Sequence, residues 1–193
     1  MLTDPELPFW PIASISAFCR REDVLFLSDS TWYKYAKFLG VNRPKSNSRR
    51  KKTKKGIRAT APNQKWHADV SVFKIYNVKH YIYLVADNFS RRILSWKVSD
   101  KLIASIRVQT IREAYQNASL MESELNVDLI VDGGSENNNS VMDDFIEDSK
   151  INIHKLVALR DIHFSNSLVE AHFSLIKYNY MYRMKINSLS DLI

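Results

Sequence analysis

The chain has 193 residues, 45% of them hydrophobic, enough for one domain of moderate size with a buried core plus an appendage. No apolar run approaches the ~20 residues that cross a bilayer, the N-terminal Met-Leu-Thr-Asp-Pro-Glu carries acids where a signal peptide carries base, and a single cysteine, Cys19, excludes a disulfide framework or a cysteine zinc site within one chain. The expectation is a soluble, cytoplasmic protein whose net charge of +7 is unevenly placed: residues 1–60 hold 13 of the 28 basic residues but 5 of the 21 acidic ones, which points to a polyanion partner for that third.

Residues 1–8 read as disordered. Pro11 can open a helix over residues 12–21, with Ile12, Ile15, Phe18 and Cys19 on one face. Asp29 or Ser30 can cap a second helix over residues 31–39, ended by Gly40. Together they suggest part of a helix-turn-helix over residues 1–42. Residues 43–58 form a basic linker without periodic apolar residues. In it Arg49, Arg50, Lys51, Lys52, Lys54 and Lys55 are candidate phosphate contacts. Nuclear-localisation or membrane-surface readings of the same run are less favoured.

From residue 59 the composition is that of a globular domain. Trp66 to Phe73 reads as a strand with Trp66, Ala68, Val70 and Val72 on one face and His67, Asp69, Ser71 and Phe73 on the other. A turn at Asn77 leads to a strand over 80–86. Asp87-Asn88 turns the chain into a third strand ending near Val98, and the short connections predict antiparallel pairing. Residues 102–118 read as a helix with Ile103, Ile106, Ile111 and Ala114 inward. A buried strand over 128–131, an acidic helix over 141–148 and a strand over 151–157 follow. A long helix begins at Ser165, with Val169, Phe173, Ile176 and Tyr180 as its core face.

Three acids in this framework are candidate metal ligands and catalytic groups. Asp69 sits in mid-strand, where a carboxylate is costly unless paired, hydrogen-bonded or metal-bound. The alternative is a sheet-edge acid paired with Lys65 or Lys74. Asp132 ends a strand and precedes Gly133-Gly134, where α/β sheets place their sites; a turn residue capping the next helix is the competing reading. Glu170 completes a capping box with Ser167 if the helix starts there, and lies a full turn inside, free to face Asp69, if Ser165 or Asn166 caps it. Lys177 follows Glu170 by seven residues on the same helical face and could hold a phosphate, against an ordinary surface lysine. His67 shares a face with Asp69 and is read as a neighbour of the site.

Together, Asp69, Asp132 and Glu170, with 37 residues between the last two, resemble the Asp-Asp-Glu signature of the retroviral integrase and insertion-sequence transposase superfamily. Trp66-His67-Ala68-Asp69, Tyr83-Leu-Val-Ala-Asp-Asn-Phe-Ser-Arg91, Val131-Asp-Gly-Gly-Ser-Glu136 and Asn166-Ser-Leu-Val-Glu-Ala-His-Phe-Ser-Leu-Ile-Lys177 each resemble a family motif. The resemblance covers roughly residues 59–183. It implies a ribonuclease-H-like α/β fold, a five-stranded mixed sheet of order 3-2-1-4-5 flanked by helices, with a small helical segment before it. It further implies cleavage and transfer of DNA strands supported by two Mg²⁺ or Mn²⁺ ions, with transposon ends and target DNA as partners and a homo-oligomer assembled on DNA. Two features depart from the family pattern. Phe164-Ser-Asn-Ser167 stands where the motif often carries an acid, and the chain stops at Ile193, so the core over residues 59–193 is expected to be truncated at its C-terminus. The alternatives are a nuclease of the same fold without strand transfer and a non-catalytic DNA-binding remnant.

Overall fold

Alternating side chains and tight turns make the first three strands of the domain a meander. The structure is a computed structural model that describes residues 1–5, 7, 10–41, 56–120, 124–135, 137–147, 151–158, 161 and 166–192. It divides into two compact units, Met1–Thr53 with Leu175–Lys185 and Lys54–Ser174 with Ile186–Ile193.

The first unit holds α1 (Ile12–Arg21) and α2 (Asp29–Phe38). Their apolar positions meet in a small core of Leu2, Ile12, Ile15, Cys19, Trp32 and Ala36. Leu2 thus belongs to this core, contrary to the disordered start expected for residues 1–8, because its side chain completes an apolar cluster that two short helices cannot close alone. Ser28, not Asp29 or Ser30, caps α2, accepting from the Thr31 N–H. Asp29 is instead drawn to α1, where it accepts from Ser16 Oγ at 2.7 Å and pairs with Arg20 at 2.8 Å. Gly40 ends the helix at φ 67°, a left-handed conformation that suits glycine. Residues 42–55, with Arg49, Arg50, Lys51, Lys52, Lys54 and Lys55, lie outside the described residues.

In the second unit β1 (Lys65–Ile75) and β2 (Val78–Asp87) are joined by Tyr76 and Asn77 alone, at φ 47° and 68°. Two successive left-handed residues give the turn whose twist matches an antiparallel pair. β3 (Ile93–Ser99) continues the meander. β4 (Val127–Val131) pairs in parallel with β1, and β5 (Ile153–Val157) in parallel with β4. The sheet order is β3-β2-β1-β4-β5, as the resemblance implied. One face carries Trp66, Ala68, Val85, Leu129 and Val131 against Ile111, Ala114 and Tyr115 of α3 (Ala104–Asn117) and Met142 and Phe145 of α4 (Ser140–Glu147). Trp66 meets Tyr115 edge-on with ring centroids 5.2 Å apart.

Two helices depart from their expected faces. α3 starts one residue after Ile103, which is left exposed, and its inward face includes the fully buried Arg107. The guanidinium lies 5.5 Å from the centre of the Tyr83 ring and its Nη1 donates to the Asp69 carbonyl at 3.1 Å, which offsets part of the cost of its burial. α5 (Ser167–Ile176) buries Val169 and Phe173 as expected, then widens into a π-helical turn, Lys177–Met181. The wider turn adds a residue per winding, so Met181 takes the buried place predicted for Tyr180. Among the described residues, no helix is long and apolar enough to cross a membrane.

Candidate active site

Strand order places the first acid. β1 is the middle strand, and Asp69 pairs with Leu84 of β2 just past the stretch, Lys65 to His67, that pairs with β4. Lys65, its proposed surface partner, is taken by Asp128 on β4. The β1–β4 register runs Lys65 with Asp128, Trp66 with Leu129 and His67 with Ile130. The same offset carries Asp69 to Asp132, just beyond the end of β4. Residues two apart on a strand share a face. Both carboxylates therefore belong to the face of His67 and Ile130, opposite the face that packs on α3 and α4. Asp69 is half-buried, and its Oδ1 accepts from the Val70 N–H at 2.7 Å. Asp132 is half-buried as well. Its Oδ1 accepts from the Gly134 N–H at 3.1 Å and from Asn137 Nδ2 at 2.7 Å, which orients it as the chain turns.

Helix α5 reaches the same strand through its first residues. The Asn166 carbonyl accepts from the Glu170 N–H at 3.3 Å, so the helix is entered from Asn166 and Glu170 stands one turn inside it. The capping box from Ser167 does not form, because Ser167 is already the first residue of the helix and Asn166 stands in the capping place. Asn166 turns its side chain to β1 instead. Its Nδ2 donates to the Ala68 carbonyl at 2.9 Å, and its Oδ1 lies 2.8 Å from His67 Nδ1. On the other side of the ring, Asn88 Nδ2 lies 2.9 Å from His67 Nε2. Asn88 is itself fixed, accepting from the Ala59 N–H at 2.7 Å and donating to the Ile57 carbonyl at 3.2 Å. Each amide is oriented by backbone, so one assignment satisfies all partners: His67 is neutral, donates from Nδ1 to Asn166 and accepts at Nε2 from Asn88.

The local electrostatics agree with a neutral ring. Burial pushes the His67 pKa down. The Asn166 hydrogen bond and Asp87 oppose this, while Arg91 and His172 add to it. His172, two residues after Glu170, is lowered in the same direction by burial and then by Arg91. Asp87 is buried at the β2–β3 turn, accepting from the Asn63 N–H, the Ser90 N–H and Ser90 Oγ, which is the turn role its context predicted.

Asp69 and Asp132 come from adjacent strands, and the helix of Glu170 is tied to the residues just before Asp69. Glu170 itself is exposed. Among the described residues, no three His, Cys, Asp or Glu side chains are gathered closely enough to hold a metal ion. The chemistry of Asp69, Asp132 and Glu170 suits a hard divalent cation: every donor is oxygen. Lys177 opens the π-helical turn after α5 and belongs to the first unit, whereas the three acids belong to the second. The α-helical run on which a shared Glu170–Lys177 face depended ends at Ile176. Burial lowers the pKa of Lys177.

From sequence, Asn88 is only a turn residue and Asn166 only a possible helix cap, and Arg107 and His172 have no role. For Asn166 the signal was its place four residues before Glu170 in the last motif. For Asn88 it was an amide beside a turn aspartate. Neither Arg107 nor His172 differs in sequence from a residue on a solvated helix face.

Residues 59–155 match the integrase core domain family. The fold is similar to the HTLV-2 integrase catalytic core domain in complex with magnesium, in its dimeric form, with a TM-score of 0.50 and 20% identity over 69% of this chain and 83% of that one. It is also similar to a chain of the simian T-cell lymphotropic virus intasome in complex with PP2A regulatory subunit B56 gamma. There the TM-score is 0.56 and the identity 15%, over 92% of this chain and 64% of that one. The catalytic domain of Mos1 mariner transposase matches with a TM-score of 0.47 and 10% identity, over 67% of this chain and 66% of that one. No curated protein matches the sequence.

Proposed function

Because the chain belongs to the integrase core domain family, we propose that it is a polynucleotidyl transferase that cuts DNA strands at the ends of a mobile element and joins them to target DNA. Asp69, Asp132 and Glu170 are its catalytic carboxylates and the ligands of two Mg²⁺ or Mn²⁺ ions. The observation that carries this reading is the meeting of three elements at one place. The β1–β4 register runs to His67 and Ile130, an offset that extended two residues would carry Asp69 to Asp132, and Asn166 ties the start of the Glu170 helix to Ala68 and His67.

In this reading each residue has a physical task. Asp69, in β1, and Asp132, which directly follows β4, define the sheet side of the site. Glu170 supplies the third carboxylate from a helix. The three carboxylates would hold divalent cations, which when bound would supply Lewis-acid stabilisation of negative charge on phosphate oxygens. Lys177 and the arm residues Arg49, Arg50, Lys51, Lys52, Lys54 and Lys55 neutralise backbone phosphates and hold the duplex. The magnesium in the HTLV-2 core and that protein's dimeric form support a divalent cation and a homo-oligomer here.

Mn²⁺-dependent nicking of plasmid DNA, and joining of a 3′-hydroxyl oligonucleotide to it, test the proposal. The wild-type chain is expected to do both, and Asp132→Asn and Glu170→Gln to do neither while remaining folded. Nicking without joining would reduce the protein to a nuclease. A Glu170→Gln variant that nicks at the wild-type rate would remove Glu170 from the trio. DNA binding without any metal-dependent cleavage would leave a non-catalytic DNA-binding chain.

A further inference from the structure

The geometry points to His67 and Asn166 as positioning residues: their buried hydrogen bond sets where α5 starts on β1, and so sets the affinity of the carboxylate site for its cation. This rests on the reading of Asp69, Asp132 and Glu170 as metal ligands.

Three polar side chains fill a place where apolar ones would hold a helix on a sheet at lower cost. His67, Asn88 and Asn166 are 2%, 2% and 4% exposed. Burying such groups costs free energy that their mutual hydrogen bonds do little more than offset. What the hydrogen bonds add is direction. Apolar contacts at Val169 and Phe173 fix how deep α5 lies but resist sliding and rotation weakly. The Asn166 amide fixes both, through one bond to the His67 ring and one to the Ala68 carbonyl. The tie sits one helical turn before Glu170 and immediately before Asp69 in the strand. It carries a shift of the helix start to the gap between those two carboxylates over a short path. The ring can serve only in its Nδ1–H form, and Asn88, held at Ala59 and Ile57, enforces that form. Partners of this kind behind metal ligands typically change metal affinity by about 10- to 100-fold when removed.

Mn²⁺ affinity of the full chain, measured by isothermal titration, reads the effect without any catalytic step. His67→Leu and Asn166→Ala are each expected to weaken binding about tenfold or more. The double variant should be no weaker than the worse single one, because both changes break the same link. His67→Asn, whose amide nitrogen stands near the place of Nδ1, should recover most of the loss, which a merely space-filling role for the ring would not produce. Wild-type affinity in folded His67→Leu and Asn166→Ala, with Asp132→Asn weakened, would overturn the positioning role and leave the metal site standing. Wild-type affinity in Asp132→Asn and Glu170→Gln would overturn the metal site and this inference with it.

Linkage supplies a second measurement on the unaltered protein, decisive if the leucine or alanine variants do not fold. If the link strengthens metal binding by some factor, the metal must strengthen the link by the same factor. Saturating Mg²⁺ should therefore slow exchange of the His67 Nδ1–H, followed by NMR of the ¹⁵N-labelled imidazole, about tenfold or more. An exchange rate unchanged by Mg²⁺ would overturn the inference.

Discussion

At the scale of single residues, the two site histidines make stability depend on pH with a definite sign. His67 and His172 both have folded-state values below 6.5, in each case mainly because burial disfavours the charged ring. The unfolded chain therefore takes up protons first as the pH falls. Stability from this source is whole above about pH 6.5 and declines as the pH drops from there toward the folded-state values. The urea midpoint is expected to fall between pH 7.5 and pH 5, and to fall less in His67→Asn and His172→Gln, whose side chains cannot be protonated in this range. An unchanged pH dependence in both variants would assign the decline to other groups. Asp132 makes a second prediction. Its Oδ1 accepts two hydrogen bonds that an asparagine carbonyl can also accept, so Asp132→Asn removes a charge with little loss of packing. Its melting temperature without metal should match or exceed that of the wild type, because repulsion among the carboxylates is reduced. The rise on adding Mg²⁺ should largely disappear, because that rise requires a site present only in the folded state. A full Mg²⁺-induced rise in the variant would remove Asp132 from the metal site.

At the scale of elements, the winding of the last helix decides which side chains stabilise the first unit. The π-helical turn Lys177–Met181 shifts the inward position by one, leaving Tyr180 half-buried and edge-on to Trp10 and burying Met181 to 6% exposure. Met181→Ala is expected to cost about 2–5 kcal/mol by urea denaturation, the usual range for emptying a buried methionine site. Tyr178→Ala, at a ring 64% exposed, should change stability by no more than about 0.5 kcal/mol. The reverse ranking would mean that α-helical phase continues past Ile176. α3 illustrates the same point differently. Arg107 occupies an inward position of that helix because a carbonyl of β1 and a tyrosine ring of β2 await it, so its burial is a property of three elements together.

At the scale of the whole molecule, charge is divided against chemistry. The basic excess lies in residues 1–60 and the three carboxylates in the domain that follows. If the arm binds backbone phosphates, the logarithm of DNA affinity will fall linearly with the logarithm of salt concentration. Replacing Arg49, Arg50, Lys51, Lys52, Lys54 and Lys55 by alanine should flatten that slope by about 0.9 for each phosphate no longer neutralised, up to about 5 in all, without selecting among DNA sequences. An unchanged slope would exclude the arm as a phosphate binder.

The sequence by itself determined the local features: the order of strands and helices, the two faces of β1, the turn at Asn77 and the three acids as residues in need of a reason. These follow from periodicities and turn preferences that act over a few residues. Tertiary structure decided what depends on partners far along the chain. That Asp69 lies on a central strand follows only once β4, some 60 residues on, has paired with β1. Whether Glu170 caps its helix or stands inside it depends on Asn166, whose side chain is claimed by Ala68 and His67 across 98 and 99 residues of sequence. Buried Arg107 and Asn88 look like solvated residues when read in isolation, because a polar side chain can be buried only where distant partners replace the water it loses.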